Sequence, residues 1–257
     1  MTHRPANRLA PCFIVLVLGA AASYGQDTFS LAAVDGATGE VVSAGASCLD
    51  GDVAPGGARI ISSVLPGVGV LHTQSYFSVG NQQLGERLLR SGLDAHAIVD
   101  SLTAADVGGA PALRQYAAMT FGEAGRVARR AFTGGSCAPY AGQFVGTDFV
   151  VAGNILLDSL VVVRMREAFV AARALDRPLV ECALAALEAV AYPGADRRCL
   201  EAGLSSRSAF LRLARPGDSA EALTLDLVVA FPEGGRDPIR LLAEAYRRGE
   251  TGELAAD

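Results

Sequence analysis

Two apolar runs with little alternation open the patterned part of the chain. Residues 28–35 read TFSLAAVD, residues 40–47 read EVVSAGAS, and GATG between them supplies a turn. This pattern predicts a β-hairpin. Because apolar side chains occur on both faces of each predicted strand, we expect the strands to lie between two layers rather than to face water on one side.

Helical periodicity and further extended segments then follow in blocks. Leu84, Leu88, Ile98 and Leu102 recur at helical spacing and predict helices over residues 82–90 and 95–105. Further strands are predicted at residues 60–65, 68–75, 114–121, 127–132, 149–152, 209–214 and 223–230. Further helices are predicted at residues 158–172, 178–190 and 238–248, with Asp158 as an N-cap and Pro178 in a first turn. Such blocks favour an α+β fold over a doubly wound sheet.

The first 25 residues are typical of a secretory signal peptide. An arginine-bearing start precedes an apolar stretch over residues 9–22, and small residues follow. The stretch falls short of the about 18–20 apolar residues that a membrane span needs. We expect cleavage after Gly25, a secreted or periplasmic protein and no membrane contact after signal removal, with an uncleaved anchor as the alternative. Residues 26–250 then form a single domain, and residues 251–257 form a polar tail.

Composition excludes several classes of function. The chain carries a formal charge of −5, and loss of Arg4 and Arg8 with the signal makes it −7, so we expect no nucleic-acid partner. All 22 basic residues are arginine, which excludes a pyridoxal-phosphate Schiff base, a P-loop lysine and a Ser-Lys dyad. Only His72 and His96 remain after signal removal, so we expect no metal site.

Four cysteines lie beyond the signal: Cys48, Cys137, Cys182 and Cys199. An even number in a secreted chain predicts disulfides, but the spacing leaves three connectivities open. A bridge from Cys182 to Cys199 would close a short loop, worth about 3 kcal/mol on the chain-entropy model. Alternatively, Cys182 lies in a helix and is a buried free thiol.

Common cofactor and hydrolase motifs are absent from the chain. The sequence contains none of the motifs G-x-G-x-x-G, G-x-x-x-x-G-K-[ST], H-E-x-x-H and G-x-S-x-G. GVGVLH has a histidine where the last glycine of the first motif belongs. Nucleotide-binding, zinc-protease and α/β-hydrolase hypotheses therefore lose support. We expect no cofactor.

Seven segments in order resemble a known family. They are TFSLAAVDGATGEVVSAGAS, PGVGVLHTQSY, RQYAAMTF, FTGGSCAPYAGQFVG, VAGNILL, GADRRC with SSRSAFLRL, and RDPIRLL. Together they resemble the family catalogued as Domain of Unknown Function 1028, which looks like a branch of the Ntn-hydrolase superfamily. The resemblance runs from about Thr28 to Arg247 and implies a four-layer αββα sandwich of Ntn-hydrolase type.

The resemblance implies that Thr28 is a nucleophile. Ntn hydrolases use an N-terminal Thr, Ser or Cys whose own α-amine acts as the base, which suits a chain so poor in lysine and histidine. Cleavage after Gly25 leaves Gln26 and Asp27 ahead of Thr28, so the chemistry requires a further cleavage between Asp27 and Thr28. The alternative is that Thr28 simply begins an inner strand, where β-branched residues pack well.

Further site residues are predicted, each with a structural alternative. Asn154 would donate an amide hydrogen bond to a developing oxyanion, or cap a turn before a helix. Asp35 would orient the first strand, or begin the hairpin turn. Asp196 and Arg197 would form a charge pair that holds a substrate carboxylate, or one that only fixes the cleft wall.

His72 and Gln74 follow Gly-rich backbone that approaches a ligand closely, and they are predicted to bind substrate. The alternative is that His72 is a satisfied structural residue.

Three hypotheses for function follow. The first is an amidohydrolase that cleaves a C–N bond in a small molecule or peptide, with Thr28 as nucleophile. The second is a catalytically silent αββα domain that binds a ligand or assembles with itself into a homo-oligomer. The third is a Ser or Cys hydrolase that uses His72 as its base. For oligomerisation, the apolar helix face over residues 160–165 is either simple core or a subunit contact.

Overall fold

The structure is a computed structural model that describes residues 28–230 and 233–254. The predicted signal peptide, together with Gln26 and Asp27, lies outside the described residues. The described chain is a mixed α+β protein with two sheets and five α-helices, as the block order predicts. The strands are β1 Thr28–Val34, β2 Val41–Ser47, β3 Ser62–Leu65, β4 Gly69–Gln74, β5 Gln115–Phe121, β6 Val127–Thr133, β7 Gly142–Val145, β8 Phe149–Asn154, β9 Ser208–Ala214, β10 Leu225–Val229 and β11 Gly252–Glu253. The helices are α1 Val79–Arg90, α2 Ala95–Ala104, α3 Leu160–Arg173, α4 Leu179–Glu188 and α5 Pro238–Arg248.

The seven-stranded sheet has the order β11-β10-β9-β2-β1-β8-β7, and the four-stranded sheet has the order β3-β4-β5-β6. The predicted hairpin is confirmed, since β1 pairs with β2 in antiparallel register from Thr28 opposite Ser47 to Val34 opposite Val41. The other side of β1 pairs with β8, and every residue of β1 is buried. The lack of alternation in the sequence therefore reflects burial on both faces, as predicted.

Alternate residues of β1 serve two different cores. Phe29 and Leu31 point to α3, α4 and α5, where they join a cluster with Met165 and Phe169. Ala32 and Val34 point the other way, into a smaller cluster shared with the four-stranded sheet. A fully buried Phe, Leu or Val side chain contributes about 1.5–3 kcal/mol, so the two cores hold β1 from both sides.

The far face of the four-stranded sheet is covered by α1 and α2. Leu71 and Tyr116 from the sheet pack with Leu89, Ile98 and Leu102 from the helices. These helices begin at side-chain caps, because Ser78 accepts from the backbone N–H of Asn81 and Asp94 accepts from that of Ala97. The apolar positions at helical spacing in the sequence are thus the positions that cover this sheet.

Helix boundaries differ slightly from the predicted ones. Asp158 caps α3 as predicted, because its carboxylate accepts the N–H of Leu160 at 2.8 Å, while Ser159 directly before the helix already has helical backbone angles and makes no capping bond. Pro178 immediately precedes α4 rather than lying in its first turn. α5 has the predicted bounds and is followed by Gly249, whose φ of +76° favours glycine.

Two strands lack a strong signal in the sequence. β7 is a short edge strand with no fully buried residue, so its apolar pattern is weak. Part of the polar tail predicted at residues 251–257 forms a strand. Gly252–Glu253 pairs in parallel with β10, and the N–H of Leu254 donates to the carbonyl of Val228. Both strands are short and exposed or half-exposed, so each is recognised only by its pairing with a neighbouring strand.

One disulfide links Cys48 to Cys199, which settles the connectivity that the spacing left open. Cys182 is a buried free thiol, as the alternative for this residue proposed, and Cys137 is also free. The bridge joins residues 151 positions apart and closes a loop worth about 5 kcal/mol on the chain-entropy model. Such bonds persist in oxidising compartments.

The apolar helix face at residues 160–165 is largely core. Val161, Val162 and Met165 are buried against the seven-stranded sheet, while Leu160 is exposed. None of the helices in the described ranges is long and apolar enough to cross a bilayer.

We expect loss of the Cys48–Cys199 bridge to lower the free energy of unfolding by up to about 5 kcal/mol, because the unfolded chain regains the entropy of a long open loop. Cys48→Ser, Cys199→Ser and the double variant should lose similar amounts, since each change removes the same bond. Denaturant unfolding of the mature protein measures the loss.

Cys137→Ser is the control, because this partly buried thiol is outside the bridge, and its cost should be much smaller. Alkylation of the unfolded, non-reduced mature protein should modify Cys137 and Cys182 only. Modification of Cys48 or Cys199 under these conditions would contradict the pairing.

Candidate active site

Thr28 lies at one end of the space between the two sheets. It is the first residue of β1, and its cross-strand partners are Ser47 and Asn154. Strand alternation directs its side chain toward the four-stranded sheet. Thr28 is 1% exposed, yet its hydroxyl oxygen has no hydrogen-bond partner among the described residues. A buried polar atom without a partner costs about 1–3 kcal/mol, so this hydroxyl marks a candidate functional position.

Asn154 presents an oxygen, rather than an N–H group, without a partner. It is the last residue of β8 and is buried. Its Nδ2 donates to Oε1 of Gln115 at 3.4 Å, whereas its Oδ1 has no hydrogen-bond partner in the described part of the chain. One N–H of Nδ2 is thus directed to Gln115, and the amide oxygen is the atom without a partner. The role of Asn154 as an oxyanion donor stays a prediction.

Gln115 is a site residue that the sequence did not indicate. The residue begins β5 and is fully buried, and its Nε2 lies 3.0 Å from the carbonyl oxygen of Gly142 and 3.1 Å from that of Gly153. Its Oε1 accepts from Gln74 Nε2 at 2.6 Å. The sequence does contain a signal for a buried polar site here, because a glutamine at the start of an otherwise apolar strand must find buried hydrogen-bond partners.

Gln74 is the predicted substrate-binding residue that the structure brings to Thr28. Its Nε2 donates to the backbone carbonyl of Thr28 at 3.3 Å, and its Oε1 accepts from the Ser30 hydroxyl at 2.7 Å. Gln74 is buried and all of its amide atoms are engaged within the protein. Its contacts therefore hold the start of β1 in place.

His72 lies deeper between the sheets than Gln74. Its Nδ1 is 3.0 Å from the Ser30 hydroxyl oxygen, and its Nε2 is 2.6 Å from that of Ser43. Complete burial, reinforced by the positive charge of Arg212, lowers the pKa of His72 to about 3. The imidazole is therefore neutral near physiological pH, and both of its nitrogens are already hydrogen-bonded.

Asp196 lies beside the disulfide and pairs with Arg198, not with Arg197 as predicted. Asp196 Oδ2 is 3.0 Å from Arg198 Nη2 and accepts the N–H of Cys48 at 2.6 Å. Burial raises the pKa of the Asp196 carboxyl above its usual range, although Arg198 and the Cys48 N–H act in the opposite direction. The Arg197 side chain is exposed, and its backbone N–H donates to the carbonyl of Ile155. Asp196 thus links the end of β2 to the loop after β8.

Asp35 is far from Thr28. It follows the other end of β1, roughly 23 Å away at the usual strand rise. Its carboxylate accepts the N–H groups of Ala37 and Thr38 and pairs with Arg173 at 3.2 Å. The structure does not bring Asp35 to the predicted nucleophile, and its contacts belong to the hairpin turn.

A left-handed turn at Ser75 and Tyr76 lies at the same end of the four-stranded sheet as Gln74. Both residues have positive φ, and the guanidinium of Arg114 donates to the Tyr76 carbonyl while pairing with Asp106 at 2.9 Å. Ser75 is buried beside Cys137, but its hydroxyl oxygen makes no hydrogen bond of good geometry among the described residues. Positive φ at a serine costs about 1–3 kcal/mol, so this turn is a second unusual feature near Thr28.

Neither described range, 28–230 or 233–254, brings three or more His, Cys, Asp or Glu side chains together in a way that could hold a metal ion. The polar groups near Thr28 include hydroxyls, amides and backbone carbonyls, and the guanidinium of Arg198 lies 3.5 Å from the hydroxyl of Ser47, the cross-strand partner of Thr28. These groups can orient a nucleophile and donate or accept hydrogen bonds.

We expect the neutral, buried His72 to make stability depend on pH. Its folded pKa of about 3 lies below the ordinary value of about 6.5, so the unfolded chain binds more protons between these values and stability falls as the pH decreases. From about pH 7 to about pH 5 this should remove on the order of 2 kcal/mol from the free energy of unfolding. Denaturant unfolding at both pH values measures the change.

His72→Gln removes the titrating group and should flatten this part of the pH dependence. His96→Gln is the matched control, because His96 is exposed and its loss should leave the dependence as it is. The same slope in His72→Gln as in the wild type would show that His72 does not cause it.

Comparison with known proteins gives a family and a related structure. The family model described as "Family of unknown function (DUF1028)" matches residues 28–241. No curated protein gives a significant match. The crystal structure of protein SPO2555 from Silicibacter pomeroyi, titled as a DUF1028 protein, has a TM-score of 0.68 and 26% sequence identity, and the match covers 88% of this chain and 90% of that chain.

The family match and the related structure agree, and both extend over most of the chain. The match begins at Thr28 and ends in α5, so it includes Gln74, Gln115 and Asn154. The chain therefore belongs to the DUF1028 family.

Proposed function

We propose that this protein is a secreted, Ntn-hydrolase-like amidohydrolase that cleaves a C–N bond with Thr28 as nucleophile. The proposal requires release of the residues that precede Thr28. The observation that carries it is the position of Thr28: it begins an inner strand, it is buried, and its hydroxyl oxygen has no partner in the described residues. A buried polar atom without a partner requires an explanation, and a catalytic role is one explanation for it.

The packing of the two sheets supports an Ntn-type αββα sandwich. α1 and α2 pack on the outer face of the four-stranded sheet, and α3, α4 and α5 pack on the outer face of the seven-stranded sheet. The inner faces of the two sheets meet in their own cluster. In this arrangement the nucleophile is on the first strand, between the sheets, where Thr28 lies.

The α-amine of Thr28 is the base that fits this site. The chain has no lysine, and His72 has a pKa of about 3 with both nitrogens hydrogen-bonded. A free α-amine has a pKa of about 7.7–8.0, so roughly a fifth to a third of it is neutral near pH 7.4 and able to act as a base. On an N-terminal threonine the amine and the hydroxyl belong to the same residue, which keeps the base close to the nucleophile.

The proposed reaction has two steps that restore the protein. In the first, the α-amine takes the proton of Thr28 Oγ1 as Oγ1 bonds to the substrate carbonyl carbon; the C–N bond then breaks and the leaving nitrogen takes that proton. In the second, water gives a proton to the amine and attacks the ester, which releases the acid and regenerates the Thr28 hydroxyl. A small-molecule or peptide amide is the substrate class for this chemistry.

A Ser or Cys hydrolase that uses His72 fits the site less well. Ser43 does lie 2.6 Å from His72 Nε2, but both residues are almost completely buried between the sheets. The other nitrogen faces the Ser30 hydroxyl instead of a carboxylate that would stabilise an imidazolium. This pair lies deeper between the sheets than Thr28, and the low pKa of His72 makes it a poor base.

We expect the secreted, mature protein to begin at Thr28, because only a free amine there can act as the base. Intact mass and N-terminal sequencing of the wild type and of Thr28→Ala, processed under the same conditions, measure this. Retention of the preceding residues in Thr28→Ala alone would indicate self-cleavage. Thr28→Ser should be processed and start at residue 28, since serine keeps the hydroxyl.

Thr38→Ala changes an exposed threonine in the turn of the same hairpin and should be processed like the wild type. A wild-type protein that begins at Gln26 or Asp27 would have a blocked amine. That result would overturn the proposal and favour the silent domain that binds a ligand or assembles with itself.

A further inference from the structure

A chain of hydrogen-bonded side chains runs through the interior from Gln115 to Arg212. It begins at Gln115, whose Nε2 lies 3.0 Å from the carbonyl oxygen of Gly142 and 3.1 Å from that of Gly153. Carbonyl oxygens can only accept hydrogen bonds, so the NH2 group of Gln115 must face them. Its Oε1 is therefore directed to the other side, toward Gln74.

The orientation of Gln115 determines that of Gln74. The Nε2 of Gln74 faces two acceptors, Gln115 Oε1 at 2.6 Å and the carbonyl of Thr28 at 3.3 Å. Gln74 Oε1 must then accept the single hydroxyl hydrogen of Ser30. With that hydrogen committed, Ser30 is an acceptor toward His72 Nδ1, which must carry the proton.

The chain of hydrogen bonds continues in the same direction beyond His72. A neutral imidazole protonated at Nδ1 accepts at Nε2, so the Ser43 hydroxyl donates there. Ser43 in turn accepts from Ser62 at 2.7 Å, and Ser62 Oγ accepts from Arg212 Nη1 at 3.3 Å. Arg212 can only donate. The Gln115 end therefore sets this direction along the chain of hydrogen bonds, and the Arg212 end is compatible with it.

A branch of this chain of hydrogen bonds sets the orientation of the Asn154 amide. Gln115 Oε1 is an acceptor, so Asn154 must turn its Nδ2 toward it. The remaining atom, Oδ1, has no partner among the described residues. It belongs to the cross-strand neighbour of Thr28, on the face of the sheet that Thr28 shares.

We propose that Gln115 and Gln74 are positioning residues that impose this single hydrogen-bond direction, so that Asn154 offers Thr28 an acceptor instead of an oxyanion donor. Thr28 Oγ1 and Asn154 Oδ1 both lack a partner among the described residues, so Asn154 Oδ1 is available to accept a hydrogen from the amine of Thr28 once that amine is freed. Only this last step rests on the proposed function. The orientation of the amides and of His72 follows from the carbonyl groups of Gly142 and Gly153, which can only accept.

An Asn154→Asp variant tests the orientation of Asn154. A carboxylate would place an oxygen against Gln115 Oε1 in place of the Nδ2 donor, and this repulsion raises the pKa of the new carboxyl. Such a group stabilises the fold below its pKa when protonated, and the stability is lost as the pH rises. We expect the denaturation midpoint of Asn154→Asp, relative to wild type, to fall between about pH 4.5 and about pH 7. An equal or higher relative midpoint at the upper pH would overturn the assigned orientation.

The tautomer of His72 tests the direction of the main chain of hydrogen bonds. Long-range proton–nitrogen NMR spectra of the full protein labelled with 15N-histidine separate protonated from unprotonated ring nitrogens. We expect wild-type His72 to be the Nδ1–H tautomer. In Gln74→Met the Ser30 hydroxyl loses its acceptor and becomes able to donate to Nδ1, so signals of the Nε2–H tautomer should appear.

Gln82→Met is the matched control. Gln82 is another buried glutamine, but it bonds Thr73 and Ser63, so its loss should leave the His72 tautomer unchanged. An Nε2–H tautomer in the wild type would overturn the proposed direction, and an unchanged tautomer in folded Gln74→Met would overturn the positioning role of Gln74. The tautomer does not depend on cleavage before Thr28. A protein that keeps its preceding residues would therefore refute the proposed function without altering this result.

Discussion

The Gln115 side-chain amide, held by the backbone carbonyls of Gly142 and Gly153, is the contact on which the polar interior depends. Backbone carbonyls cannot donate, so they leave Gln115 one orientation. Gln115 then orients both Gln74 and Asn154, one in the neighbouring strand and one in the facing sheet. Amide groups that satisfy one another in this way specify a single arrangement of a buried layer, because any flipped amide would leave like atoms in contact.

The layer between the two sheets is divided into a polar end and an apolar end. Along the inner face of β1, Thr28 and Ser30 are followed by Ala32 and Val34. The apolar end provides the usual burial energy, whereas the polar end is stable only because nearly every group in it has a partner. Against that background, the unpartnered oxygens of Thr28, Ser75 and Asn154 are unusual. They gather where β1 begins and where β4 and β8 end.

The covalent and ionic links lie next to this polar end. The disulfide joins Cys48, which directly follows the cross-strand partner of Thr28, to Cys199. Asp196 accepts the N–H of Cys48 and forms a β-bridge with Leu156, two residues after Asn154. Strands β2 and β8, which flank Thr28, are thus held at the same end by separate contacts. A nucleophile that must keep a fixed geometry benefits from such support.

Local patterns explain why much of the fold could be predicted from the sequence. Helical spacing and caps belong to neighbouring residues, so α5 has its predicted bounds, and the hairpin of β1 and β2 follows from apolar runs around a Gly turn. β7 and β11 could not be predicted in this way, because they are short and depend on strands with which they pair in space.

The candidate site, like the fold, could be predicted only in part from the sequence. The family resemblance and the position in a strand predict Thr28 and Asn154 as site residues. The Gly-rich backbone before Gln74 predicts that residue as part of the site. The partner of Asp196, the distance of Asp35 from Thr28 and the atom that Asn154 presents were decided only by tertiary structure. The sequence by itself determined which residue types are available for chemistry, since a chain without lysine and with so little histidine has few bases. Only the tertiary structure decided which of them meet and in which orientation, because hydrogen-bond direction depends on partners that lie far apart along the chain.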